Sequence, residues 1–154
     1  EWDDGAVYEC VKKGLSVFQG DIESGLSEYP DRAFDYVILN QSMQEVKKVD
    51  SLIGEALRVG SIAIIGFPNF AHLEARKMLF LEGRSPVTKS LPYAWYDTPN
   101  LRFLSILDFV DFCSEKKLKI LEAHYLGDNR EIRFLPNLRA RNAIFVLTKQ
   151  PEMR

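Results

Sequence analysis

Two short stretches of this 154-residue chain place ligand-holding groups at the ends of apolar runs. "LSVFQGD" (15–21) closes on Gly20-Asp21, and "YVILN" (36–40) closes on Asn40 and is followed by Gln41. A carboxylate only accepts hydrogen bonds, whereas a carboxamide donates and accepts. Ligands of open α/β sheets sit at the carboxyl ends of strands. Asp21 is therefore a candidate acceptor for a ligand amino group, with the Ile22 N–H beside it as a donor. Asn40 and Gln41 are candidates to line the same site. Each also has a plainer reading: Gly-Asp is common in turns, and Asn40 and Gln41 can cap their own loop.

Groups able to move protons or attack a bond are scarcer. His72 and His124 are the two histidines. His72 follows "FPNFA" at an expected helix start, where a surface or capping role is expected. His124 falls within an expected strand and should be packed. The two cysteines, Cys10 and Cys113, lack CxxC spacing, which argues against a disulfide scaffold or a zinc site. Cys113 lies on the apolar stripe of a helix and should be core. No Ser-His-Asp or metal-ligand spacing stands out, so no catalytic residue and no metal are assigned.

The elements that must carry these groups alternate. A short helix is expected over 5–13, with Val7, Cys10 and Val11 on one side, and then a strand over 15–21. "PDRAFD" (30–35) reads as a turn. The run 36–40 is continuously apolar, as expected of a strand buried on both faces. A helix from Asp50, a plausible N-cap, to Arg58 stops at Gly60, and "SIAIIGF" (61–67) is another buried strand. A helix runs from about Ala71 to Glu82, before Gly83. Ser105 and Asp108 have capping-box spacing at the head of a helix over 105–117, whose buried stripe is Ile106, Phe109, Val110 and Cys113. Strands at 119–126 and 142–149 follow, joined by a polar link holding Arg130, Arg133, Arg139 and Arg141. The alternation indicates an α/β fold with a parallel sheet. The last two strands have no helix between them and should form an antiparallel edge pair.

Composition sets limits. Apolar residues make up 46% of the chain and its net charge is −2. Disorder is excluded, and nucleic-acid or membrane-surface binding has no global electrostatic support. No apolar run is long enough to span a bilayer and no signal peptide is visible. A cytoplasmic protein of one domain (1–150) with a short tail (151–154) is expected. One segment is unusual: "LPYAWYDTPN" (91–100) carries two prolines and three large aromatics. Proline excludes a helix interior or a central strand, so Tyr93, Trp95, Tyr96 and Asp97 lie on a loop. As a cap, the rings would pack on the carboxyl edge of the sheet. As a docking surface or lid, they would anchor a partner, with Asp97 and Arg102 at the rim.

The element order, with an acid at the start and Gly-Asp after the next strand, resembles the class I S-adenosylmethionine (SAM)-dependent methyltransferase fold. The phrases "VFQGDIESGL", "FDYVILNQSMQ", "EALRVGSIAIIGFPNF", "GRSPVTKSLPYAWYDTPN" and "FLSILDF" resemble the methionine biosynthesis family MetW, over Glu1 to about Lys149. The resemblance implies a Rossmann-like sheet, mostly parallel, with an antiparallel terminal pair. It also implies that the first strand, the first helix and the glycine-rich turn are missing, so the chain reads as part of a longer protein. These residues alone are then expected to fold poorly, with open strand edges, and to bind no SAM.

For the full-length protein the resemblance implies SAM or S-adenosylhomocysteine as ligand. Glu1 matches the family's acid that accepts from two ribose hydroxyls, Asp21 and Ile22 would meet the adenine, and Asn40 and Gln41 would line the methionine end. The resemblance also implies work with a homoserine O-acyltransferase, which would carry the chemistry that this protein supports. The other reading is a SAM-dependent methyltransferase acting on an unknown small molecule. Fold alone favours neither.

Overall fold

A computed structural model describes residues 3–18, 20–22, 24 and 26–150. Helix α1 is Asp4–Lys12, capped where Asp3 Oδ1 accepts the Ala6 N–H at 2.8 Å. Strand β1 (Phe34–Asn40) leads through a 3₁₀ turn (Met43–Glu45) into α2 (Val49–Val59) and β2 (Gly60–Pro68). Helix α3 (Leu73–Lys77) continues as a π turn (Met78–Glu82) and stops at Gly83, whose φ of 62° is the left-handed conformation that ends helices at glycine. Then come α4 (Ile106–Glu115), β3 (Leu118–Leu126), α5 (Pro136–Arg139) and β4 (Asn142–Lys149).

The four strands form one mixed sheet in the order β1-β2-β4-β3. Strands β1 and β2 run parallel, and β4 is antiparallel to both β2 and β3. The antiparallel terminal pair is as expected, with β3 at the edge. The stretch 15–21 departs from expectation: residues 15–18 and 20–21 are in no strand. A strand exists only where a neighbour takes its N–H and C=O groups, and these residues pair with none of the described strands. Helix α1 also buries no residue, and Val11 of its expected apolar side is exposed.

One face of the sheet carries the core. Leu39, Ala63, Ile65, Phe67, Ala143, Phe145 and Leu147 pack there against Ile53, Ala56 and Leu57 of α2 and Ile106, Phe109 and Cys113 of α4. The rings of Phe67, Phe109 and Phe145 form a closed triangle with centroid separations of 4.9, 4.9 and 5.8 Å, a spacing at which aromatic pairs attract beyond their buried area. On the other face Tyr36 and Ile38 of β1 are exposed, so β1 is not buried on both sides as its apolar run suggested. Periodicity cannot tell a doubly covered strand from one whose second face is open.

Two polar devices fix the helices. The expected capping box forms at α4: the Asp108 N–H donates to Ser105 Oγ at 3.1 Å and the Ser105 N–H donates to Asp108 Oδ2 at 2.7 Å. Asp50 is not the cap of α2, which begins one residue earlier after Lys48; its carboxylate instead pairs with Lys116 of α4 at 2.8 Å. Arg58 clamps the chain before β1. Its guanidinium donates to both Glu55 carboxylate oxygens, to Asp31, and to the carbonyls of Leu26 and Tyr29, each at 2.8 Å. A planar fork can do this and an ammonium cannot.

His72 stands at the N-cap position of α3, as a capping role requires, but makes no side-chain cap bond, and His124 lies in β3 as expected but is not packed. His72 is 3% exposed, while His124 lies at the surface between Glu131 (3.0 Å) and Glu122 (3.3 Å). Hydrogen bonds to Glu131 and then Glu122 raise the His124 pKa, whereas burial lowers that of His72. Burial pushes the Cys113 thiol up to about 11, so it stays neutral in the core as expected.

Phe67→Ala should cost about 3–5 kcal/mol, because the cavity it leaves is walled by two other rings; chemical denaturation measures this, and a loss under about 1 kcal/mol would mean the triangle is dispensable. The histidines set opposite pH trends. His124 adds stability that is full below its unfolded pKa of about 6.5 and is lost as pH rises through its raised folded value. His72 adds stability present above about 6.5 that is lost as pH falls through its lowered value. The pH profile of His124→Gln minus wild type should therefore shrink with rising pH, and a difference that is flat across this range would contradict the assignment.

Candidate functional site

The parallel strands β1 and β2 end side by side, and the residues that follow them form a cleft. Gln41, Gln44, Glu45, Pro68, Lys89, Ser90, Pro92, Tyr93, Asn100 and Asn142 line it. Asn40 is the last residue of β1, exposed, and in register with Gly66 of β2. A Cβ at Gly66 would meet Asn40 Oδ1 at 2.6 Å, so the glycine makes room for the amide. Gln41 then turns with φ 56°, a left-handed conformation that costs a residue with a side chain. The Gln41 N–H still reaches the Gly66 carbonyl at 2.9 Å.

Gln44 is the part of this site that sequence reasoning missed. It is 3% exposed. Its Nε2 donates to the Gln41 carbonyl at 2.8 Å, which fixes the orientation of the amide, because Oε1 there would face another acceptor. Oε1 is buried and has no hydrogen-bond partner among the described residues. A buried acceptor without a donor is costly and calls for an explanation; here it borders a cleft in which a ligand can supply the donor. The Gln44 carbonyl accepts the N–H groups of Leu101 and Arg102 at 2.9 and 3.0 Å. The same residue thus anchors the far end of the aromatic loop.

Asn69 plays the corresponding part after β2. Fully buried, it donates through Nδ2 to the carbonyls of Asn137 (3.0 Å) and Ala140 (2.8 Å) and accepts the Ala71 N–H at Oδ1 (3.1 Å). The "FPNF" phrase is therefore a knot joining β2 to the segment before β4.

The predicted residues divide. Gln41 and Tyr93 line the cleft and Asn40 sits at its edge. Asp21 and Ile22 are exposed, absent from its lining, and in irregular chain; the Asp21 carbonyl accepts from the backbone and hydroxyl of Ser24. Glu1 lies outside the described residues. The loop rings do not cap the sheet. Leu91 is the buried residue of that segment, held by the paired backbones of Thr88 and Leu91, while Tyr93, Trp95 and Tyr96 are 50%, 75% and 76% exposed. Trp95 and Tyr96 meet edge to face at 5.6 Å. Asp97 is exposed, and Arg102 donates to the Lys47 carbonyl at 2.7 Å. Leu79, Phe80 and Leu81 of the π turn are exposed in the same part of the chain, and Leu79 shares a second, apolar pocket with Phe70, Leu91, Tyr93, Trp95 and Phe103.

Residues 1–147 match the family model described as methionine biosynthesis protein MetW. The chain belongs to the MetW family. A "Bifunctional methionine biosynthesis protein MetXA/MetW" of Rhodopirellula baltica is 37% identical over 143 residues; the match covers 90% of this chain and spans 23% of the length of that relative. Among solved structures, a SAM-dependent methyltransferase of Thermotoga maritima superposes with a TM-score of 0.67 at 17% identity, over 97% of this chain and 72% of its own. A SAM-dependent methyltransferase of Archaeoglobus fulgidus gives 0.62 at 12% identity, over 97% and 74%. The fold of this MetW domain is thus that of the class I SAM-dependent methyltransferases. No helix among the described residues is long and apolar enough to cross a membrane, and these residues hold no cluster of metal-binding side chains.

Gly66→Ala tests the site with little disturbance elsewhere, because the exposed Asn40 amide can swing aside. On the reading that this cleft takes SAM, in full-length protein the melting temperature should stay close to wild type while the affinity for SAM, measured by calorimetry, falls about tenfold. Unchanged affinity would place the Asn40 amide away from the ligand.

Proposed function

We propose that this protein supports a homoserine O-acyltransferase in methionine synthesis, and that its fold takes SAM or S-adenosylhomocysteine in the full-length protein. The exposed Trp95–Tyr96 pair carries the partner half of this reading. Two large rings on a segment stiffened by Pro92 and Pro99 lose little entropy on docking, and such rings are the usual energetic centres of interfaces. The relative whose name joins MetXA and MetW in one chain supports the same pairing of activities.

The cofactor half rests on the carboxyl-edge cleft. Gln44 Oε1 needs a donor, and an amino-acid ammonium supplies one, with Asn40 and Gln41 beside it. Asp21 and Ile22 remain the candidates for the adenine and Glu1 for the ribose. Bound there, SAM supplies an electrophilic methyl group. That cleft also supports a second reading, methyl transfer to a small molecule, for which the Glu45 carboxylate in its lining is a group able to accept a proton.

Trp95→Ala and Tyr96→Ala in full-length protein should leave the melting temperature within about 2 °C, since both rings are exposed, and should abolish co-purification with the acyltransferase. Variants that fold and still bind the partner would overturn the docking role. Transfer of label from methyl-labelled SAM to a small molecule by full-length protein, with acyltransferase activity independent of its addition, would favour the second reading.

A further inference from the structure

A different cleft lies between α3 and the chain entering β4, and three basic side chains line it, against the single Lys89 of the carboxyl-edge site. Lys77, Arg139 and Arg141 line it together with Glu74 and the buried His72. Lys77 and Arg139 are exposed and form no ion pair among the described residues. Arg141 is half-buried, donating from Nη1 to Glu74 Oε2 at 2.6 Å and lying 3.3 Å from Asp128 through Nε.

His72 is the unusual member. Its Nδ1 is 2.9 Å from the Asn69 carbonyl. A carbonyl can only accept, so Nδ1 carries the proton and the neutral ring presents a bare lone pair at Nε2. Nε2 is buried without a hydrogen-bond partner among the described residues. Glu74 Oε2 lies 3.9 Å away and is also an acceptor. The cleft thus combines surplus positive charge with one unsatisfied acceptor behind it. Plain carboxylate or sulfate would meet the charge and leave Nε2 unpaired. An anion bearing its own O–H would meet both.

We propose that this cleft binds a small oxyanion that also carries an O–H donor, inorganic phosphate being the simplest member of the class. Its charge lies against Lys77, Arg139 and Arg141, and its O–H donates to His72 Nε2. Glu74 holds the anion's place in the ligand-free protein, since its one carboxylate oxygen faces both Arg141 and His72. Ligand binding moves Glu74 off Arg141 and uncovers Nε2. A site whose buried acceptor would be stranded by the wrong ligand rejects that ligand strongly, so selection between oxyanions follows from the ring's fixed tautomer.

The test is titration of full-length protein with phosphate and with sulfate near neutral pH, where sulfate has no O–H, following the His72 imidazole nitrogens by NMR. Phosphate should give a saturable shift, and sulfate should bind about tenfold more weakly or worse. Glu74→Ala should tighten phosphate binding severalfold by removing the occupant. Lys77→Gln with Arg139→Gln, both at exposed positions, should abolish the response with the melting temperature unchanged. No saturable response to phosphate, equal affinity for the two anions, or a response that survives in the folded double variant would each overturn the proposal.

Discussion

Strand β2 is the constraint on which the rest depends. It is the one strand that pairs in parallel on one side and antiparallel on the other, and its Ala63, Ile65 and Phe67 are wholly buried. Small residues at its start and end let its neighbours come close. A Cβ at Gly60 would meet Val37 Cγ2 at 2.7 Å, and one at Gly66 would meet Asn40. Phe67 then locks α4 and β4 to the same face through Phe109 and Phe145. Because core packing has crystal-like density, a shift of this strand would move both helices and both clefts together.

The carboxyl end of β2 converts that rigidity into two sites. Asn69 satisfies all of its amide groups by tying the strand end to residues 137–140, and its carbonyl sets the tautomer of His72. On the other side Gly66 accommodates Asn40 and receives the Gln41 N–H. Polar groups are fully satisfied where they only hold the frame. The two buried side-chain atoms without partners among the described residues, Gln44 Oε1 and His72 Nε2, both border a cleft. Buried polar atoms normally find partners in the protein or in ordered water, and the residues that carry these two atoms line the two clefts.

Much of this frame was legible in the sequence, for a reason that can be stated residue by residue. Strand 142–149, the β2 run and the Ser105–Asp108 box are local patterns whose energetics are settled within a few residues. The glycine stop at Gly83 is visible in the sequence and the widened π turn before it is not, so the pattern there predicts plain helix. What failed depended on distant partners. The stretch 15–21 has a strand's composition, but residues 15–18 and 20–21 pair with no described strand. The alternating exposure of Tyr36 and Ile38 depends on what lies over that face. His72 is buried and His124 exposed because the setting is decided by Asn69 in one case and by Glu131, on another segment, in the other. At the site, Asn40, Gln41 and Tyr93 were readable from strand ends and odd composition. Gln44 was not, since a glutamine in a short turn gives no sign that its amide will be buried.

The aromatic segment gains a further meaning from its anchors. Its near end is pinned by the Thr88–Leu91 bridge and its far end by the Gln44 carbonyl. Between them Trp95 and Tyr96 project outward, while Tyr93 lines both the carboxyl-edge cleft and the apolar pocket that Trp95 shares. Gln44 therefore presents its orphan acceptor to the cleft and its backbone oxygen to the loop. A group that fills one side of a shared wall changes the packing on the other, and two sites are linked only through an element that both can bias. Here that element is short and specific: one buried amide, two backbone hydrogen bonds and one ring. On the proposed function, the surface offered to a partner and the cleft offered to a cofactor are two sides of the same loop, which is a physical reason for carrying three large aromatics on a segment that buries none of them.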